Sequence, residues 1–258
     1  MNSRRYGALI AATGLLFLAG CSKVDVPTAP QRARQIAAPG APGTTAKPSA
    51  GASGPTANAG PVTCRFLAPS ATPPPEVKAA IKDVGVPPAT PSKSTKATMR
   101  ITTNQGAIVV QMDARKAPCT VHSFAFLAGK HFFDNTKCHR MTSEGIFVLQ
   151  CGDPSATGYG GPAYSYHTED PGSGYVRGTV AIANAGDPDT NGSQFFVNYK
   201  DNTQLPPDYT MLGTVTSGMD VVDKIAAGGI NPTNAASPGD GAPKIDVVLQ
   251  QVTVSYDG

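Results

Sequence analysis

Cys138-His139-Arg140-Met141-Thr142-Ser143-Glu144-Gly145-Ile146-Phe147-Val148-Leu149-Gln150-Cys151-Gly152-Asp153 is the stretch whose reading decides the fold. Its apolar runs have strand length, and Ser, Gly and Asp punctuate them. Two further runs of the same kind follow, Ala181-Ile182-Ala183-Asn184-Ala185-Gly186 and Asn191-Gly192-Ser193-Gln194-Phe195-Phe196. One Arg, two Gln and one Asn interrupt these runs. A strand that sets a long cation beside Phe and Val builds a pocket with an apolar floor and a single charged donor.

Working outward, Thr98 to Thr103 and Ala107 to Met112 alternate apolar and polar residues around Asn104-Gln105-Gly106, which predicts a hairpin. Residues 117–130 read as a helix, with Pro118 in its first turn and Val121, Phe124, Ala125 and Ala128 on one face. Strands are expected near 138–142, 146–151, 179–183, 195–198 and 211–215, with a glycine-rich loop over 152–161. A second helix over 219–227 turns Val222, Ile225 and Ala226 inward and stops at Gly228-Gly229. Residues 244–256 form a closing strand. About eight strands and two helices predict a mainly β fold: a closed eight-stranded antiparallel barrel capped by the two helices. Strand count alone also allows a sandwich.

In this order the motifs resemble the cyclophilin family of peptidyl-prolyl cis-trans isomerases, over residues 97–256. The resemblance implies catalytic roles for Arg140 and Gln150. It implies substrate contacts for Phe147, Val148, Ala183, Asn184, Ala185, Gln194, Phe196, Leu205 and Tyr209. Phe147, Val148, Phe196 and Leu205 would line the proline pocket, with Tyr209 at its rim. The Ala183-Asn184-Ala185 turn would clamp the residue before proline through main-chain groups. The sequence departs from the family in several places. Two extra residues lie between Arg140 and Gln150, and one between Asn184 and Gln194. Val148 stands where many members carry Met, Gln204 where many carry Trp, and Tyr209 where many carry His. Each residue also has a plainer role open to it: the apolar ones as core, Gln194 as a turn partner, Arg140 as an ion-pair partner of Asp153 or Glu169.

The implied reaction breaks no bond. Rotation about a peptide bond is resisted by about 18–20 kcal/mol, because the nitrogen lone pair is delocalised into the carbonyl. An X–Pro bond has nearly balanced isomers that exchange over about tens to hundreds of seconds. A catalyst must grip proline, leave the preceding carbonyl free to swing, and favour the twisted amide over both planar forms. The guanidinium of Arg140, always charged, would donate toward the pyramidal nitrogen. Such chemistry needs no cofactor and no metal. A different class, a module that binds proline-bearing segments without catalysis, is compatible with the same fold.

Residues 1–20 lie outside the globular body. Arg4 and Arg5 precede an apolar run from Gly7 to Leu18, which reads as a secretory signal. Leu18-Ala19-Gly20-Cys21 resembles a bacterial lipoprotein signal, which implies lipidation of Cys21 and anchoring to the extracytoplasmic face of a membrane. Residues 21–96 form a tether: fourteen of the 24 prolines lie between Pro27 and Pro91, among Ala, Gly, Ser and Thr. Ahead of residue 96 there are ten Lys/Arg against three Asp/Glu, and from there on eleven against fifteen. Within the tether, Val62 to Leu67 is apolar, carries Cys64, and precedes a short helix-like run from Glu76 to Val84. The stretch 62–84 is therefore expected to dock on the body. Expected partners are proline-containing segments of exported or unfolded proteins. No phosphate loop, dinucleotide fingerprint or basic aromatic nucleic-acid motif occurs in the body, and a monomer is expected.

With Cys21 lipidated, Cys64, Cys119, Cys138 and Cys151 remain, and an even count in an exported chain suggests two disulfides. Cys138 and Cys151 fall on neighbouring strands and could face each other, leaving Cys64 for Cys119. Free thiols, or a metal held by Cys138, His139 and Cys151, are the alternatives, although the paired Cys-x-x-Cys hooks typical of such sites are missing. No Ser or Cys sits in a nucleophile elbow, so the four histidines do not point to hydrolysis.

Overall fold

The computed structural model describes residues 62–69, 73–172, 174–233 and 236–257. Residues 1–20, Cys21 and most of the tether lie outside them. The first elements are β1 (Phe66–Leu67), α1 (Pro75–Ala80), β2 (Lys96–Thr103), β3 (Gly106–Asp113) and α2 (Pro118–Gly129). The stretch that opened the reading supplies β4 (Thr136–Lys137), β5 (Arg140–Thr142) and β6 (Val148–Cys151). Then follow β7 (Ser165–Tyr166), β8 (Thr179–Ile182), β9 (Phe195–Asn198), β10 (Met211–Ser217) and α3 (Met219–Ala227). The last strands are β11 (Ile230–Pro232), β12 (Asp240–Pro243) and β13 (Val248–Tyr256).

The β2–β3 hairpin shows how the sequence dictates its packing. Ala97, Met99, Ile101 and Thr103 are buried and alternate with residues that reach solvent, as a period of two requires. Opposite them, Ile108, Val110 and Met112 are buried in β3, with Ile101 paired to Ile108 and Met99 to Val110. Gly106 closes the two-residue turn at φ +138°, a backbone angle that glycine adopts without strain. Each large apolar side chain buried here contributes about 1.5–3 kcal/mol. Over this face lie Val121, Phe124 and Leu127 of α2 and Val222 and Ile225 of α3, all fully buried.

Eleven strands join in one antiparallel sheet, ordered β11-β12-β5-β6-β9-β8-β10-β3-β2-β13-β4, and β1 pairs with β7 in a two-stranded sheet. The expected closed eight-stranded barrel is therefore corrected: among the described residues the ladder ends at two edges, β11 and β4. Among the described residues, only an isolated bridge, Lys137 to Asp153, links β4 to the segment just after β6. A further difference is the hairpin β11–β12, which sequence patterning passes over because Pro232, Gly241 and Pro243 interrupt it. It hydrogen-bonds to β5 through Gly241 and Met141, so the strand carrying Arg140 is an inner strand. The closing strand begins at Val248 rather than at residue 244.

β6, β8 and β9 are buried along their whole length, which means apolar layers on both faces. One face gives Met141, Leu149, Val180 and Val197 to the main core. The other gives Val148, Ala181 and Phe196 to a second cluster with Ile146, Tyr175, Ala183, Leu205 and Tyr209.

Residues 62–69 and 73–95 pack on this body as a strap. Cys64 is disulfide-bonded to Cys119 in α2, and β1 pairs with β7 through Phe66↔Tyr166 and Leu67↔Ser165. The Phe66 ring meets Tyr164 and Tyr166 edge-on, with centroids 5.2 and 6.0 Å apart. Further along, the Lys82 amide donates to Gly161 O at 2.9 Å and its ammonium to Phe132 O at 2.9 Å.

Candidate active site

A single cross-strand row builds the site. Arg140 in β5 lies opposite Gln150 in β6, Gln150 opposite Phe196 in β9, and Phe196 opposite Ala181 in β8. Residues directly opposite in a ladder share a face, so Arg140, Gln150 and Phe196 all stand on the face of the second cluster, away from the main core. Beneath them the floor is aromatic. Phe196 meets Tyr209 edge-on at 5.5 Å, and Tyr175 approaches both rings at about 6 Å. Tyr175 is a residue that sequence reasoning missed, since it sits in a glycine-rich loop with no alternation. Its hydroxyl donates to Tyr209 O and accepts from Tyr209 N, each at 3.0 Å, and burial pushes its pKa up to about 12. Tyr175 thereby fixes the backbone that presents Tyr209.

Above this floor the polar groups form a relay. Arg140 donates through Nε and Nη2 to the two carboxylate oxygens of Asp240, at 2.8 and 2.7 Å, and through Nη1 to Gln150 Oε1 at 3.1 Å. Gln150 Nε2 then donates to Gln194 Oε1 at 2.9 Å. Gln194 Nε2 ends the chain on the carbonyls of Gly158 and Gly160, at 3.0 and 2.9 Å. The ion-pair partner of Arg140 is thus Asp240, from the unforeseen β12, and neither Asp153 nor Glu169. Asp153 instead accepts from the amides of Ser155 and Gly158 and so shapes the loop that Gln194 grips. Glu169 accepts from the Cys119 and Thr120 amides at the start of α2, while burial pushes its carboxyl above the usual range.

Phe147 requires a correction. Val148 and Gln150 point to the second cluster, so strand alternation sends Phe147 the other way. Its ring lies edge-on to Tyr199 at 5.9 Å, with the Lys200 ammonium 4.5 Å from its centroid. Ile146 joins the second cluster in its place. Val148, Phe196, Leu205, Tyr209 and Ala183 all fall in that cluster. Phe147→Ala should consequently leave kcat/KM for an X–Pro peptide within about threefold of wild type. Ile146→Ala should lower it by about tenfold, through loss of apolar contact of about 1.5 kcal/mol.

Asn184 uses its side chain on its own loop, donating to Asp208 O at 2.8 Å and accepting from the Gly186 amide at 3.0 Å. Ala183 N is tied to Gln194 O at 2.9 Å. These bonds tie the turn beside Gln194, and Ala183, Asn184, Ala185 and Gln194 line part of a cleft of about 500 Å3. Arg140 is not among the lining residues. Around the aromatic floor the rim is narrow: Leu205 and Tyr209 are only 8% and 5% exposed, and the Gln204 amide donates to Gly145 O across it.

The disulfide Cys138–Cys151 joins the link between β4 and β5 to the last residue of β6, just beyond the Arg140–Gln150 pair, with Cα atoms 4.0 Å apart. It occupies both thiols that a metal site with His139 would have used. His139 is half-buried, but both of its ring nitrogens are shut off from solvent and neither is hydrogen-bonded. Burial lowers its pKa to about 4, opposed by Asp153 and assisted by the Arg140 charge. The unfolded chain, with an ordinary imidazole near 6.5, takes up this proton first. Stability should therefore be intact above about pH 6.5 and fall by about 3 kcal/mol as pH drops to 4. Urea midpoints measured across that range should flatten in His139→Phe.

The family model described as cyclophilin type peptidyl-prolyl cis-trans isomerase/CLD matches residues 98–254. The chain belongs to the cyclophilin-type peptidyl-prolyl cis-trans isomerases. Among curated cyclophilins, it is 41% identical to the probable peptidyl-prolyl cis-trans isomerase B of Mycobacterium leprae, over 77% of this chain and 68% of that one. The Mycobacterium tuberculosis protein of the same description is 39% identical, over 77% of this chain and 65% of that one. The chain thus spans about two thirds of the length of these relatives. A crystal structure of a Cryptosporidium parvum cyclophilin type peptidyl-prolyl cis-trans isomerase superposes with a TM-score of 0.54 at 25% identity, covering 63% of this chain and 99% of that one. The relay Arg140–Gln150–Gln194 and the apolar cluster beneath it lie wholly within the matched domain.

Proposed function

We propose that this cyclophilin-family chain accelerates X–Pro isomerisation in exported or cell-envelope proteins, with Arg140 assisting the twist of the amide. The observation that carries the reading is the fixed guanidinium, 15% exposed, in one cross-strand row with Gln150 and the fully buried Phe196. Asp240 and Gln150 hold its plane, so little reorganisation accompanies the rise of basicity on the pyramidal nitrogen. A hydrogen bond to a charged group contributes about 1.5–3 kcal/mol, and desolvation against Phe196, Val148 and Leu205 supplies more. Asn184 and its neighbours would grip the residue before proline through main-chain groups while the far carbonyl swings.

Export is supported by the signal-like residues 1–20 and by two disulfides in the body, bonds that persist in oxidising compartments. Cys21 would carry the lipid and hold the domain at an extracytoplasmic membrane face, as a monomer on a proline-rich tether. A second reading, a proline-segment binder without turnover, is favoured by the low exposure of Leu205 and Tyr209 around the aromatic floor. A protease-coupled isomerisation assay separates the two. Acceleration proportional to protein concentration is expected, and tight peptide binding with no acceleration would select the binder.

A further inference from the structure

The Cys138–Cys151 disulfide closes the end of the ladder from which Arg140 projects. β5 is three residues long and meets β6 through the pairs Arg140↔Gln150 and Met141↔Leu149. Arg140 is the first residue of its strand, and a ladder opens first at its ends. The opposite end of this hairpin has a lock of its own. There the Thr142 hydroxyl donates to Ile146 O at 2.8 Å and accepts from Val148 N at 3.2 Å. At the Arg140 end a covalent link takes that place. Cys138 stands two residues before Arg140, and Cys151 directly follows Gln150. Cys138 N donates to Val247 O at 3.0 Å, and the disulfide carries that anchorage across to β6. The bridge and the substrate-facing groups lie on different faces of the sheet. Cys138 and Cys151 are 5% and 3% exposed and belong to the main core. Val148, Phe196, Leu205 and Tyr209 belong to the second cluster.

From this placement we infer that Cys138 and Cys151 are positioning residues for isomerisation: their disulfide keeps the end of β5 closed on β6 and so holds the Arg140 guanidinium at the twisting amide. The inference rests on the prolyl isomerase reading. It adds a second constraint to the one set by Asp240. The carboxylate orients the plane of the guanidinium, whereas the bridge fixes the backbone from which that side chain hangs. A donor stabilises the twisted amide only if it is in place beforehand. Turnover should therefore register loss of the bridge, and substrate affinity should not, because the apolar pocket lies on the other face.

Cys138→Ala/Cys151→Ala in the full-length protein provides the test, with kcat and KM read separately on an Ala-Pro peptide. In this variant kcat should fall by about tenfold, with KM within about twofold of wild type. Added to Arg140→Ala, the same two substitutions should cost no further rate, since no guanidinium is left to place. A merely structural role would lower the melting temperature and slow both backgrounds alike. The Nε–H of Arg140, which donates to Asp240, should give a sharp 15N-correlated signal in wild type and a broadened one in the variant. Should the variant not fold, reversible reduction takes its place. Cys64→Ser/Cys119→Ser is treated with excess dithiothreitol, a dithiol that is oxidised to its cyclic disulfide while Cys138 and Cys151 each take up a proton as thiols. The rate should fall as those thiols appear by alkylation and mass spectrometry, and return on reoxidation. Unchanged kcat with both thiols free would overturn the inference. So would a loss confined to KM, or an equal loss in the Arg140→Ala background. Absence of turnover in wild type would count against the isomerase reading itself. The Arg140 signal would then decide the positioning role alone, a broadened one in the variant supporting it and a sharp one overturning it.

Discussion

Arg140→Ala is expected to lower kcat/KM on an Ala-Pro peptide by about a hundredfold or more, with circular dichroism and melting behaviour close to wild type. The loss of one charge-assisted hydrogen bond accounts for about 1.5–3 kcal/mol, or about ten- to hundredfold in rate. Collapse of the relay should add to it, because Gln150 loses the donor that orients its Oε1. The fold should survive, since Met141 rather than Arg140 is the residue that β5 contributes to the main core. Asp240, about one third exposed, can be rehydrated. Arg140→Lys should recover little. An ammonium cannot span both oxygens of Asp240 and reach Gln150 from one plane.

The second largest effect on turnover is expected at Asp240, a positioning residue that would not touch substrate. Its carboxylate holds Nε and Nη2 of Arg140 at 2.8 and 2.7 Å. In Asp240→Ala the guanidinium loses both, and kcat should fall by about tenfold with KM nearly unchanged. Asp240→Glu should restore part of the rate. Because the two side chains act as a unit, Arg140→Ala/Asp240→Ala should be no slower than Arg140→Ala alone. Additive losses in that cycle would mean that Asp240 acts by another route.

Much of the body was legible because local patterning and tertiary burial agree. The hairpin of β2 and β3 follows from alternation around Asn104-Gln105-Gly106, and α2 and α3 from their apolar stripes between Pro118 and the Gly228-Gly229 stop. Of the candidate site, Arg140, Gln150 and Gln194 were readable as polar groups interrupting apolar runs and Phe196 as part of one such run, and the structure brings them into one row and one relay. Phe147 misled because residues Ser143-Glu144-Gly145 shift the phase, so that Ile146 and not Phe147 shares the face of Val148 and Gln150. Asp240 was hidden for a different reason. A hairpin interrupted by Pro232, Gly241 and Pro243 carries no period, and its link to the site is tertiary, through β5. Sheet closure was equally out of reach, since it depends on which edges pair and not on any one strand's composition.

Exchange NMR on an Ala-Pro peptide in large excess over the protein tests the central claim most directly. Cis–trans exchange should quicken in proportion to added protein, the cis-to-trans ratio should stay constant, and the effect should vanish with Arg140→Ala. Peptide resonances that shift on binding while exchange stays at its uncatalysed rate would contradict the account.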